Sequence, residues 1–420
     1  MRCERLQVGG DPAAAARQMR ESVPAPDSVA GPVSEIIERV RREGDSAVLE
    51  LTDRFDAPGA PLSSLRVPVE RLEAAERNLD AELRSGLQQA IEHVASVAQA
   101  GLGGDRPVQF SDHEVILREA PVERAAVYVP GGRAPYPSTV VMGVVTARAA
   151  GVAQVAVCSP PGRDGEINAT VLAACRLTGA TEVYRMGGAQ AVAALACGTQ
   201  TIEPVDVLVG PGNLYVQEAK RQLSGQMGID MFAGPSDLLV VADPAEDPQP
   251  IALDLLAQAE HGPGTLVAAA STSADLLDAL AQAVEGSPDT GAVAWLVELG
   301  HEQQALELIQ TFAPEHLELL VPKAEQLADR VTRAGCVFVG RESATAFGDY
   351  IAGSNHTLPT DGSARFASAL STRHFRRTFT EVRVHDGSRL ARAAAPIARA
   401  EGFELHARSM EVRIRENGRP

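Results

Sequence analysis

At 420 residues the chain is too long for one ordinary hydrophobic core, so two or more domains are expected. Apolar content of 45% with only 4% aromatic residues is that of a globular protein packed mainly with alanine and branched aliphatics. A formal charge of -17 argues against nucleic acid or an anionic membrane as partner, since both need a positive surface.

Five cysteines (Cys3, Cys158, Cys175, Cys197, Cys336) are scattered and form no CxxC pair, the pattern of a reducing compartment. Met1-Arg2-Cys3-Glu4-Arg5 has no apolar signal core, and no run approaches the roughly 20 apolar residues of a membrane span. The expected location is the cytoplasm.

In chain order, residues 31–56 and 64–103 read as amphipathic helices, with Ile36, Ile37, Val40, Val48, Leu49 and Leu51 on a helical repeat. From 124 the rhythm changes. Strand-like runs at Arg124–Pro130, Gln154–Pro160, Glu182–Met186 and Val205–Val209 alternate with helical runs from Ser138, Ile167, Gly188 and Asn213. A second alternation follows: Leu238–Ala242, helix 248–262, Leu266–Ser271, helices 273–285 and 302–311, then Cys336–Gly340. Near-continuous apolar strands alternating with helices mark parallel sheets covered on both faces, so two doubly wound α/β domains are expected. From about 369 the chain turns to shorter, charged pieces, read as a small appendage.

Glycine turns end three of the strands: Val129-Pro130-Gly131-Gly132, Met186-Gly187-Gly188-Ala189-Gln190 and Val209-Gly210-Pro211-Gly212-Asn213. Turns of this kind at helix N-termini bind nucleotides in α/β sheets, although none matches G-x-G-x-x-G. Three in series, two ending in a carboxamide, point to a pyrophosphate or nicotinamide site. Gln258 and His261 share one face of a helix that stops at Gly262-Pro263, a metal-ligand pair at an edge. In Ala313-Pro314-Glu315-His316 a carboxylate and an imidazole sit at the mouth of an element, where histidine can take and return a proton. Taken alone, the pair reads more readily as a helix start whose glutamate complements the dipole. The loop Gly348–Thr360 offers Asp349 as a hard oxygen ligand and His356 as a substrate contact, or a plain Asx-type turn. With His406 from Glu401–His406, residues Gln258, His261 and Asp349 make a thiolate-free set of nitrogen and oxygen donors. Such a set suits zinc, manganese or cobalt with room for substrate.

Together these segments resemble the histidinol dehydrogenase family. The likeness starts at Glu38-Arg39-Val40-Arg41-Arg42-Glu43-Gly44-Asp45 and includes Asp230-Met231-Phe232-Ala233-Gly234-Pro235-Ser236, with the motifs above in the same order over nearly the whole chain. It implies a zinc-dependent homodimer that oxidises L-histidinol to L-histidine in two NAD-linked steps through an enzyme-held aldehyde. By motif, Gln258, His261, Asp349 and His406 would hold zinc; Tyr128, Gln190 and Asn213 would line the NAD site. Glu315 and His316 would be catalytic, and Ser236, His356 and Glu401 would contact substrate alongside the metal ligands and His316. Glu401 and His406 would act across the dimer. The implied fold is an N-terminal helical arm (1–26) and a first α/β domain (27–127 and 235–368) that carries the metal and catalytic residues. A second α/β domain (128–234) is inserted on the NAD side, and a dimerisation tail (369–420) ends the chain.

The chain departs from the family pattern at Thr146 (usually proline), Cys197 (often aromatic), Asp237 (often glutamate), His374 (typically aspartate), and Phe403 and Leu405 (usually small). Two other readings stay open: a paralogue that oxidises another small alcohol such as a sulfonated diol, and a non-catalytic α/β protein that binds metal and nucleotide.

Overall fold

The computed structural model describes residues 1–23, 28–131 and 134–414. Strand β1 (Arg2–Gln7) and helix α1 (Pro12–Glu21) open the chain, followed by α2 (Ala30–Glu43), α3 (Asp45–Phe55), α4 (Val69–Arg77) and α5 (Ala81–Ala100). After β2 (Arg106–Gln109) and β3 (His113–Pro121) comes a first βα array. It consists of β4 (Arg124–Tyr128), α6 (Pro137–Val140), α7 (Thr146–Ala149), β5 (Gln154–Ser159), α8 (Ala169–Thr178), β6 (Glu182–Arg185), α9 (Gly188–Cys197), β7 (Val207–Val209), α10 (Leu214–Leu223) and β8 (Gly228–Ile229). A π-helical turn, Val141–Val145, joins α6 to α7. The second array is β9 (Asp237–Ala242), α11 (Pro248–Ala259), β10 (Leu266–Ser271), α12 (Ala274–Glu285), β11 (Val293–Glu298), α13 (Gln304–Phe312), β12 (His316–Leu320), α14 (Ala324–Ala328), β13 (Cys336–Val339) and α15 (Thr345–Tyr350). Strand β14 (Arg376–Val384), α16 (Gly387–Ala400) and α17 (Glu404–Glu411) finish it.

Two compact units result. One contains residues 1–101 and 122–375; the other contains 102–121 and the chain from 376. The larger holds two all-parallel sheets, ordered β6-β5-β4-β7-β8 and β1-β11-β10-β9-β12-β13. Apart from the added edge strand β1, both follow the doubly wound order, with chain direction switching between β4 and β7 and between β9 and β12. Side chains alternate across each strand, so both faces need cover. On β4, Ala126 and Tyr128 pack with Val33, Ile37 and Val48 of α2 and α3, while Ala125 and Val127 pack with Leu72 of α4 and Val171 of α8. On β9, Leu239 and Val241 meet Met19 of α1 and Phe312 of α13, while Leu238 and Val240 meet Leu255 of α11 and Leu280 of α12. In the smaller unit, β3 lies between β14 and β2 in an antiparallel sheet, and α16 packs along α17.

Several sequence expectations need correction. Residues 2–7, placed in a helical arm, form a parallel edge strand on β11. Its charged residues Arg2, Glu4 and Arg5, which suit an exposed edge, hid the strand pattern. Helices α2 to α4 pack on the five-stranded sheet of the 128–234 array, not with 235–368. β4 (124–128) belongs to that sheet as well. The terminal piece starts its strand at Arg376 and draws β2 and β3 from residues 102–121. Residues 24–26 of the expected arm, and Gly132 of the first glycine turn, lie outside the described residues.

At the first switch point the ends of β7 and β4 come close together. Gly210 has φ 114°, and an added Cβ would come within 2.2 Å of the Tyr128 carbonyl oxygen. Gly210→Ala is expected to cost about 2–5 kcal/mol from backbone strain and overpacking, read as a lowered denaturation midpoint.

Candidate active site

Two sites take shape in the larger unit. The first is a cavity of about 700 Å³ at the C-terminal ends of β4 to β7, where open α/β sheets bind ligands. Tyr128, Gln190 and Asn213, the three residues expected at a nicotinamide cofactor, all line it. Glu35, Arg39, Arg54, Phe55 and Asp56 of the α2–α3 segment line it too. Sequence reading missed these, because a helix that reads as amphipathic gives no sign of which loop it will face.

The glycine turns here are braced from within. Gly188 N–H donates to the Tyr128 hydroxyl at 3.0 Å, and Gly187 N–H donates to Asp56 Oδ2 at 3.0 Å. Gly210 N–H donates to Asp230 Oδ2 at 2.7 Å, and Asp230 is itself paired with buried Lys220 at 2.7 Å. Lys220 Nζ also donates to the Gly210 carbonyl. Asn213 caps α10, its Oδ1 accepting from Tyr215 and Val216 N–H at 3.1 and 3.2 Å. These amides, which the sequence suggested for an anion, are therefore already engaged by side chains of the chain itself.

The second site lies at the N-terminal ends of β9 and β12, against the end of α11. A proline at N1 and the Asp247 cap start α11, and its last turn presents Gln258; His261 follows at the turn, its N–H donating to Gln258 O. Glu315 precedes β12 and His316 begins it, so the expected helix start is instead a buried strand start. Proline at 314 and the capping logic misled the reading; Ala313, at φ 48°, ends α13 and the chain turns straight into the sheet.

Glu315 is the best-held group. Ser236 Oγ and Asp237 N–H both donate to its Oε2, the latter at 2.9 Å. Gln258 Nε2 donates to Ser236 Oγ at 2.7 Å. Glu315 N–H donates in turn to Asp237 Oδ1 at 2.8 Å. Burial pushes the Glu315 carboxyl up to about 7, against the pull of His316. Asp237, one of the departures from the family pattern, is fully buried and paired with Arg20 of α1 at 2.6 Å. Arg20 also donates to the Phe312 carbonyl at 2.8 Å and lies over the Phe312 ring.

His316 sits between carboxylates, its Nδ1 3.7 Å from Glu315 and its Nε2 3.5 Å from Asp349. Burial alone would lower its imidazole, but Glu315, Asp349 and Asp237 together raise it to about 9. Asp349 lies in the last turn of α15, not in a loop, and within electrostatic reach of His261, His316 and His356. His356 Nδ1 is 3.0 Å from the Asp349 carbonyl, and its Nε2 is 3.3 Å from Thr139 Oγ1. Thr146, another departure, accepts from Asn355 Nδ2 at 3.3 Å, and the same nitrogen donates to the Met142 carbonyl at 3.1 Å, which ties the His356 loop to α7 and the π-turn.

The structure thus gathers Ser236, Gln258, His261, Glu315, His316, Asp349 and His356. Glu401 and His406 belong to the smaller unit, where both are exposed. No group of three His, Cys, Asp or Glu forms a metal site among the described residues. Of the expected ligands, the larger unit supplies only His261 and Asp349 of those types, beside the Gln258 carboxamide. The donors fit a divalent ion: Ser236 engages Gln258 Nε2, leaving the carboxamide oxygen as an acceptor. Breaking the Arg20–Asp237 pair is expected to be costly. Arg20→Met should lower stability by about 3–5 kcal/mol, because it leaves a buried carboxylate unpaired; thermal unfolding reads it.

A family model described as histidinol dehydrogenase matches residues 19–414. A histidinol dehydrogenase of Parasynechococcus marenigrum is 44% identical over 403 residues, which cover 92% of this chain and 91% of that protein. One from Gluconobacter oxydans is 40% identical, covering 93% and 94%. The crystal structure of the histidinol dehydrogenase from Elizabethkingia anophelis superposes with a TM-score of 0.91 at 31% identity, covering 98% of each chain. With its parallel sheets and this breadth of likeness, the chain belongs to the histidinol dehydrogenase family, whose members are NAD-dependent oxidoreductases.

Proposed function

We propose that the protein oxidises L-histidinol to L-histidine in two NAD-linked steps through a bound aldehyde. The observation that carries this reading is the buried pair Glu315–His316, braced by Ser236 and Asp237 beside Gln258, His261 and Asp349. A base near neutrality and an imidazole next to it are what an alcohol-to-acid oxidation needs.

Gln258, His261 and Asp349 would hold zinc with His406 from a second copy of the chain. Tyr128, Gln190 and Asn213 would line the NAD site. A bound ion would hold the amino alcohol and offset the Asp349 charge that raises His316, and NAD would supply the hydride acceptor for each oxidation. The chain's own groups do the proton work. His316 must be neutral to act: once a cation offsets the Asp349 charge that raises its imidazole to about 9, it accepts the hydroxyl proton as the alcohol carbon loses hydride. Glu315, unprotonated, draws a proton from water as that water adds to the aldehyde. After giving up its first proton to solvent, His316 takes the hydrate's hydroxyl proton as the second hydride departs and the carboxylate forms. Ser236 holds Glu315 and Gln258 in one hydrogen-bonded row, and His356 and Glu401 complete the substrate contacts. Fixing the reacting carbon in this way is worth at most about 7–11 kcal/mol.

Sharing of the site between two copies is supported by the smaller unit's surface. Ile397, Phe403 and Leu405, beside Glu401 and His406, are 62%, 53% and 75% exposed, an apolar face that a second copy would cover.

The test is stoichiometry: about two NADH per histidinol, lost on chelation and restored by zinc. One NADH, or none with histidinol but activity on another alcohol, refutes the reading. Glu315→Gln should stop the second oxidation by about 10²–10⁴-fold while the alcohol step persists. Because Glu315 works unprotonated, the aldehyde step of the intact enzyme should fall as pH drops below about 7. His316→Asn that keeps full double oxidation overturns the proton-transfer role.

A further inference from the structure

Asp56 is placed against local preference. It caps the C-terminal end of α3, where the helix dipole disfavours a carboxylate, and it is half-buried there. No cation pairs with it among the described residues. What it does accept comes from far along the chain: Gly187 N–H at 3.0 Å and Gln190 Nε2 at 3.1 Å, both on Oδ2. Gln190 is 2% exposed and lines the same cavity as Asp56. A carboxylate only accepts, so it decides which end of the Gln190 carboxamide faces it. The nitrogen turns inward to Asp56, and the oxygen is left as the free acceptor. A local rule broken without local compensation points to a role at the site.

We propose that Asp56 is a positioning residue of the cofactor pocket: by holding the Gln190 carboxamide nitrogen and the Gly187 turn, it sets Gln190 to accept a hydrogen bond from a hydroxyl or amide donor of the dinucleotide. This rests on the reading of the cavity as the NAD site, and it adds a residue to that site which touches the cofactor through Gln190.

Burial also pushes the Asp56 carboxyl up to about 6, against the hydrogen bonds from Gly187 and Gln190. The other charged or titratable groups around it are Glu35 and Arg39 of α2, Arg54 of α3 and Tyr128 of β4, with Cys158 of β5 in electrostatic reach and Lys220 of α10 acting on Cys158. No histidine is among the described residues lining the cavity. Above about pH 6 the charged form holds the carboxamide; below it the grip is released.

The experiment measures NAD binding by calorimetry without histidinol, and KM and kcat with it, on the zinc-loaded enzyme. Asp56→Asn should raise Kd and KM for NAD by about fivefold, leaving kcat and the histidinol KM within about twofold. Gln190→Glu alone should bind NAD worse still, because two carboxylates then face each other. Combined with Asp56→Asn it should recover, since the asparagine amide donates to the new carboxylate. The intact enzyme's Kd for NAD should rise between about pH 7.5 and about pH 5.5, a readout that needs no variant to fold. An Asp56→Asn enzyme with unchanged Kd, no recovery in the double variant, or a flat pH response overturns the proposal. Gln190→Ala separates the two readings. If it leaves NAD affinity intact, the cavity is not the cofactor site; if it weakens NAD while Asp56→Asn does not, only the role of Asp56 fails.

Discussion

Burial of one carboxylate governs the Glu315 end of the six-stranded sheet. Glu315 is removed from water at the head of a parallel strand, and a charge there must be compensated by hydrogen bonds or shed. Ser236 and the Asp237 amide supply the bonds, and Asp237 is in turn held by Arg20. Arg20 reaches this point from the first helix, over 217 residues of chain, so the opening segment is part of the scaffold of the proposed active site. The six-stranded sheet makes this possible, since β9 and β12 are neighbours and bring residues 236 and 315 side by side.

The two sheets repeat one topology but use opposite ends of it. In the five-stranded sheet the cavity opens beyond the C-terminal ends of the strands, where helix starts follow. In the six-stranded sheet Glu315, His316 and the Gln258–His261 pair collect at the strand starts, where α11 ends. A fold-level rule alone locates the first site and misplaces the second.

Much of this was legible in the sequence. The runs at Gln154, Glu182, Leu238 and Leu266 became strands because continuous apolar segments bounded by glycine and proline suit sheets covered on both sides. β11 escaped notice, as a short buried run such as Val293–Val297 has no period of its own to distinguish strand from helix. β1 was hidden by its charges, and β12 by the proline and glutamate that mimic a helix start. At the proposed site, residue type together with the family resemblance drew attention to Gln258, His261, Glu315, His316 and Asp349, which the structure brings near one another. The supporting residues were not readable: Arg20, Asp56, Thr139 and Lys220 matter through partners over a hundred residues away or on other elements, and no spacing rule reports such pairings.

The bracing of the glycine turns has a kinetic meaning for the proposed reaction. If the cavity is the NAD site, the amides of Gly187, Gly188 and Gly210, which already serve Asp56, Tyr128 and Asp230, would not be available to the pyrophosphate. A double oxidation must discharge one reduced cofactor and admit a fresh one while the reactive aldehyde stays put. A coenzyme held without those three amides would leave more readily, which is what such an exchange would require.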